Sequence, residues 1–122
     1  MCKVIVVDDD PSATMLIRML LEMEGFEVVT SFDRHSAIDA ACSETATFVV
    51  DFNLGHGGNG ADLIRTIRAG GTKAPSTVPT ILVSGDHRVK DEALAAGADV
   101  FLLKPYSPSL LTETIHRLIS GH

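Results

Sequence analysis

Apolar residues recur in two alternating patterns along this chain. Short continuous runs, rich in valine and isoleucine, occur at Lys3-Val4-Ile5-Val6-Val7, Phe26 to Thr30, Thr47 to Val50, Thr80-Ile81-Leu82-Val83 and Val100-Phe101-Leu102-Leu103. Between them, apolar positions return at helical spacing: Ala13, Leu16, Ile17 and Leu20, then Ala37, Ile38 and Ala41, then Leu63, Ile64 and Ile67, and finally Leu111, Ile115 and Leu118. Continuous β-branched runs suit strands buried on both faces, whereas the 3.6-residue period suits helices with one buried stripe. Their alternation predicts a parallel sheet with helices on both sides, a (βα)₅ doubly wound α/β fold.

Punctuation residues set the expected boundaries. Asp10-Pro11 reads as a cap followed by proline at the first helical position, and Gly25 stops that helix. Asp33 opens a short second helix, and a glycine-rich loop from Gly55 to Gly60 leads into the third. Gly70 to Pro79 reads as a linker into the fourth strand. The stretch from Arg88 to Ala96 predicts a weak, short helix ended by Gly97, and Ser107-Pro108 repeats the cap-plus-proline start.

Size and charge narrow the picture. At 122 residues the expectation is one domain spanning positions 1–122, with no effector domain beside it. A net charge of −6 argues against a nucleic-acid-binding surface. No apolar stretch approaches the length of a membrane span. Met1 leads straight into a strand without a signal-peptide pattern, so a cytoplasmic location is expected. Cys2 and Cys42 fit no metal spacing and read as reduced thiols.

The chemistry sits where the strands end. The first run meets Asp8-Asp9-Asp10, the third Asp51, the fourth Ser84 and the fifth Lys104-Pro105. In open α/β sheets ligands bind outside the carboxyl ends of the strands. Carboxylates held together there repel, and so protonate or take up a cation. A hard ion, Mg2+ or Mn2+, suits such oxygen ligands and completes its shell with water or phosphate. One cap does not require three acids, so Asp10 is assigned to the helix and Asp8, Asp9 and Asp51 to the ion. With a cation in place, one carboxylate could attack phosphorus and form an acyl phosphate, while Lys104 and Ser84 stabilise the spreading charge.

Together, Val-Val-Asp8-Asp9-Asp10-Pro, Asp51-Phe-Asn53-Leu, Leu-Val-Ser84-Gly and Gly97-Ala-Asp-Val-Phe101-Leu-Leu-Lys104-Pro105 resemble a response-regulator receiver domain over essentially the whole chain. The resemblance implies a flavodoxin-like sheet of order 2-1-3-4-5. It also implies phosphate transfer to an aspartate from a histidine kinase or histidine phosphotransfer protein. Carried over by position, Asp51 is the phosphoacceptor. Asp8, Asp9, Asp51 and the backbone carbonyl of Asn53 hold the metal. Ser84 and Phe101 match a switch pair, Lys104 contacts phosphate, and the bond to Pro105 is expected cis. Asn53 and Asp86 stand where the family tunes acyl-phosphate lifetime. The output surface implied is the face of the fourth helix, fifth strand and fifth helix, which meets a downstream protein or a second, phosphorylated copy. Taken singly, Phe101 reads as a core aromatic and Ser84 as a strand-end hydroxyl.

Some features depart from that pattern. Gly55 stands where proline is common, and the loop after Asp51 is one residue longer than usual. The segment between Ser84 and Gly97 is short, which predicts a truncated or irregular fourth helix. Two other readings use the same residues. Gly55-His-Gly57-Gly58-Asn-Gly60 satisfies a dinucleotide fingerprint, but four residues separate it from the strand and no acid ends the next one. Asp8-Asp9-Asp10 also fits a haloacid-dehalogenase-like phosphatase, with Asp8 as nucleophile and Asp51 left without a role. His35, His56, His87, His116 and His122 share no ligand spacing and are expected to face solvent, and Tyr106 is expected to pack.

Overall fold

Five strands pair in parallel in the order β2-β1-β3-β4-β5, as expected. They are β1 (Lys3–Val7), β2 (Glu27–Ser31), β3 (Thr45–Asp51), β4 (Thr80–Ser84) and β5 (Val100–Leu103). The helices between and after them are α1 (Pro11–Met23), α2 (Arg34–Ala40), α3 (Gly60–Arg68), α4 (Lys90–Ala96) and α5 (Pro108–Ser120). The computed structural model describes residues 3–55 and 58–120.

Side-chain alternation along each strand divides the core in two. Val4, Val6, Val49, Ile81 and Val83 face α1 and α5, meeting Ile17, Leu21, Leu111 and Ile115. Ile5, Val7, Phe48 and Val50 face the other way, against Ala37 of α2 and Leu63 and Ile67 of α3. Leu82 meets Ile64 and the small side chains Ala93 and Ala96, which let α4 lie close. Val4 to Val7 are each at most 1% exposed, so β1 has no solvent face. Burial of each such side chain contributes on the order of 1.5–3 kcal/mol. That is why β1 reads as one continuous apolar run.

Some strand ends shift by a residue, and three starts also differ from the sequence reading. β3 starts at Thr45, two positions earlier, across a bulge that skips one residue between Lys3 and Val4. Buried hydroxyls hide this start: Thr47 Oγ1 donates to the Pro79 carbonyl at 3.1 Å, and Thr45 Oγ1 accepts from the Cys42 N–H at 3.0 Å. β2 begins at Glu27, because the Phe26 N–H is spent on the Leu21 carbonyl at 3.1 Å, closing α1 around Gly25 in the left-handed region. The segment leading to Gly97 is a 3₁₀ turn, His87–Val89, followed by a helix of only seven residues. The expected truncation of the fourth helix is therefore found.

Candidate phosphoryl-transfer site

Strand register assembles the site. Val7 pairs with Val50, so Asp8, one residue past β1, stands level with Asp51 at the end of β3. Asp51 pairs with Val83, and Ser84 pairs with Leu103, which brings Ser84 and Lys104 to the same edge. The Asp8 N–H donates to the Ser31 carbonyl at 3.1 Å, and the Lys104 N–H to the Ser84 carbonyl at 2.8 Å, extending both ladders into the crevice. The Lys104–Pro105 bond is cis.

Asp8, Asp9 and Asp51 each offer an oxygen within 4.8 Å of the others. Asp8 and Asp51 are buried and Asp9 is exposed. The third acid is employed elsewhere: Asp10 Oδ1 accepts the Ser12 N–H at 3.0 Å as the cap of α1. Asp8 Oδ1 in turn accepts the Asp10 N–H at 3.0 Å, which fixes its carboxylate. Lys104 Nζ lies 3.4 Å from Asp51 Oδ2 and 3.7 Å from Asp8 Oδ2. Burial, and then the neighbouring Asp8, push the Asp51 carboxyl up to about 6 against the pull of Lys104. Burial, with Asp8 and Asp51 nearby, pushes the Tyr106 phenol up to about 12. Its ring packs on the core between α1 and α5. The group therefore carries more negative charge than its single ammonium balances, and a divalent cation fits that donor set.

The remaining sequence candidates have definite places. Ser84 is buried, and its Oγ accepts the Asp86 N–H at 3.1 Å. Phe101 is half-buried, paired with Leu82 in register and packed on the cluster shared by α3 and α4. Asn53 is exposed, gives a backbone hydrogen bond to the Asp51 carboxylate, and bridges to Asn59. The Asp86 carboxylate is committed to Arg88, taking its backbone N–H at 2.9 Å and its guanidinium at 3.0 Å, which pulls its pKa down to about 2. Of the candidate dinucleotide loop, His56 and Gly57 lie outside the described residues, as do His122 and Cys2. Cys42 is a free thiol. His35 pairs with Asp39 on the surface, His87 is exposed, and His116 packs on the Phe26 ring and reaches Glu24 at 3.4 Å.

Two supporting features escaped the sequence reading. Asn59 and Asp62 form a reciprocal capping box that starts α3, a signal that was present in the sequence as Asn-x-x-Asp. Gly60 sits directly on the acceptor's backbone: a Cβ there would run into the Asp51 carbonyl oxygen and come 2.9 Å from Val50 Cγ1. Its N–H also donates to the Phe52 carbonyl at 2.7 Å. Gly60→Ala is therefore expected to lower stability by about 2 kcal/mol through overpacking. A urea denaturation midpoint compared with wild type checks this, and an unchanged midpoint would mean that β3 yields freely.

A model of the response regulator receiver domain matches residues 4–116. The transcriptional regulatory protein CpxR of Escherichia coli is 30% identical over 121 residues, covering 98% of this chain and 50% of the relative. The DNA-binding response regulator MtrA of Mycolicibacterium smegmatis is 30% identical over 115 residues, covering 93% and 48% respectively. The chain thus spans about half the length of these curated relatives. Among solved structures, a CheY-like receiver domain protein of Methanospirillum hungatei superposes with a TM-score of 0.88 at 23% identity, covering 99% of this chain and 95% of the other. The chemotaxis protein CheY4 of Vibrio cholerae does so with 0.84 at 26% identity, covering 97% and 98%. Among the described residues no helix is long and apolar enough to cross a membrane. The match over nearly all of the chain, on a sheet of this order, makes it a member of the response-regulator receiver-domain family of two-component signalling.

Proposed function

We propose that Asp51 is the phosphoacceptor of this receiver domain, taking its phosphoryl group from a histidine kinase or histidine phosphotransfer protein in the cytoplasm. The observation that carries the reading is the buried Asp51 carboxylate, sharing Lys104 with Asp8 at the carboxyl end of the sheet. In the transfer, an ionised Asp51 oxygen forms a bond to phosphorus, giving an acyl phosphate, as the bond to the donor imidazole nitrogen breaks; that nitrogen keeps the electron pair, and with a proton on its other nitrogen the ring leaves as neutral imidazole. Lys104 stabilises charge on the equatorial phosphoryl oxygens. Asp8, Asp9, Asp51 and the Asn53 carbonyl would hold Mg2+ or Mn2+, which when bound supplies positive charge to the same oxygens. Water attacking the acyl phosphate returns inorganic phosphate, with Asn53 and Asp86 placed to influence its approach.

Signalling follows from the new acceptor oxygens. The Ser84 hydroxyl turns to donate to one of them, giving up its present contact with the Asp86 N–H. Phe101 moves into the space released, and the surface formed by α4, β5 and α5 is remade for a downstream partner. α4, with seven residues, contributes about two turns to that surface.

Phosphoryl labelling tests the assignment. Incubation with acetyl phosphate and Mg2+, followed by intact-mass measurement, should phosphorylate the wild type and leave Asp51→Asn unmodified. Retention of label by Asp51→Asn with loss in Asp8→Asn would instead support the dehalogenase-like phosphatase, which the capping role of Asp10 disfavours.

A further inference from the structure

The chain folds back on itself as it leaves the acceptor. The Phe52 N–H donates to the Val83 carbonyl at 2.9 Å, the last rung of the sheet, and the Phe52 carbonyl accepts the Gly60 N–H at 2.7 Å. Asn53 and Asn59 pair beside it as an antiparallel bridge. Residues 52–53 and 59–60 therefore make a short ribbon on the carboxyl edge, directly after Asp51. Its first strand is anchored on either side of Asn53. Phe52 packs on the cluster of Ala61 and Ile64, while Leu54 is buried with Leu63 and Ile67. Its second strand ends in the capping box of α3. Asn59 Oδ1 accepts the Asp62 N–H at 3.0 Å, and Asp62 Oδ2 accepts the Asn59 N–H at 3.3 Å. Arg65 Nη1 holds the other oxygen, Asp62 Oδ1, at 2.9 Å. A Cβ on Gly58 would come within 3.1 Å of Asp62 Oδ2, so the chain enters the box through a residue without a side chain.

We propose that Asn59 is a positioning residue for the metal site, setting the Asn53 carbonyl in place through the ribbon and the capping box. The inference rests on the reading of Asp8, Asp9, Asp51 and the Asn53 carbonyl as metal ligands. Three of those ligands are side chains, which turn about their own bonds to meet an ion. The fourth is a backbone oxygen and moves only with its peptide plane, so its direction is decided by whatever fixes that plane. Asn53 is exposed, and burial does not hold it. The bridge to Asn59 does, together with the hydrogen bond from the Asn53 N–H to the Asp51 carboxylate. Asn59 is fixed in turn because the cap joins both its backbone and its side chain to α3, whose inward residues Leu63, Ile64 and Ile67 are fully buried. The rigid element is thus the helix, and the cap passes its position back to the peptide beside the acceptor. By linkage, an ion that fixes the Asn53 peptide also stabilises the first turn of α3. This coupling runs through β3 and α3 and uses neither Ser84 nor Phe101.

Titration of the whole chain with Mg2+, followed by its amide shifts in NMR spectra, tests it. Asn59→Ala should raise the Mg2+ dissociation constant about 5-fold, the factor by which loss of an N-cap lowers the population of the closed turn. Asn59→Ser, which caps a helix as well as asparagine does, should stay close to wild type. Ile115→Val, a core change on the α1 and α5 side of the sheet with a similar cost in stability, should bind as wild type does. Far-ultraviolet circular dichroism confirms that each variant is folded. The wild type supplies a measurement that needs no variant: Mg2+ should slow hydrogen exchange at the Gly60 and Asp62 amides by more than it does along α5. Equal affinity in Asn59→Ala and wild type would overturn the proposal, as would exchange at those two amides that ignores Mg2+. A loss of affinity shared by Ile115→Val would reduce the effect to general stability and overturn it likewise. Failure of the serine to restore binding would overturn the cap as the route. A wild type that binds no Mg2+ would instead refute the metal reading of the acid cluster, and this inference with it.

Discussion

Asp51→Asn should make the metal-free protein more stable at pH 8, by about 2 kcal/mol. Two carboxylates, Asp8 and Asp51, share one ammonium in a buried crevice, and Asp51 is pushed up to about 6. A carboxyl whose pKa is higher folded than unfolded binds its proton more tightly in the native state. Its ionisation therefore costs stability. The cost is absent below about pH 3, where both states are protonated, sets in as pH passes the ordinary aspartate value, grows toward 6, and is complete above it. The amide carries no charge and escapes the cost, while Lys104 keeps Asp8 as a partner. Thermal unfolding in the presence of a chelator should show the variant melting several degrees higher at pH 8 and level with wild type at about pH 3. Saturating Mg2+ should narrow the gap, because only the wild type keeps the full carboxylate set, and binding to the native state alone stabilises it. A variant less stable than wild type at pH 8 without metal would show that the Lys104 contact outweighs the repulsion.

The residues that make this argument were legible in the sequence because each sits at the end of an apolar run. A β-strand buried on both faces must be apolar throughout, so the first polar residue after it marks the sheet edge where the crevice lies. That rule located Asp8, Asp51, Ser84 and Lys104, and parallel pairing then put them side by side. It failed where polar side chains are themselves buried. Thr45 and Ala46 extend β3 below the run read from Thr47, with the Thr45 hydroxyl taking the Cys42 N–H, and these two residues add no apolar run that would announce the earlier start. The Gly60 contact with the Asp51 backbone is equally silent, since in the sequence Gly60 is one of four glycines between positions 55 and 60. α4 was legible only as a shortfall of residues. Its packing by Ala93 and Ala96 gives too little apolar bulk for a periodic signal.

Arg68→Ala should cost about 3 kcal/mol, the largest loss expected from any surface-reaching side chain of α3. The stretch from Gly70 to Pro79 reads as a plain linker, but the guanidinium of Arg68 ties it down. It donates to the carbonyls of Ser76 at 2.8 Å, Val78 at 2.7 Å and Gly97 at 2.9 Å. It also reaches Thr80 Oγ1 at 3.1 Å and Asp99 Oδ2 at 2.8 Å, and the same Asp99 oxygen takes the Thr80 N–H. One planar fork thereby joins the end of α3, the approach to β4 and the loop from α4 to β5. Alanine would strip charged donors from three backbone carbonyls around a side chain that is only 23% exposed. Lysine cannot replace it, because an ammonium is a single point and these acceptors are arrayed around a plane. Urea unfolding should therefore place Arg68→Ala and Arg68→Lys well below wild type in midpoint, with amides of residues 76–80 and 97–99 losing protection from hydrogen exchange first. Full retention of the midpoint by the lysine variant would reduce Arg68 to a charge. Loss of protection spread evenly over the sheet would deny it a local role.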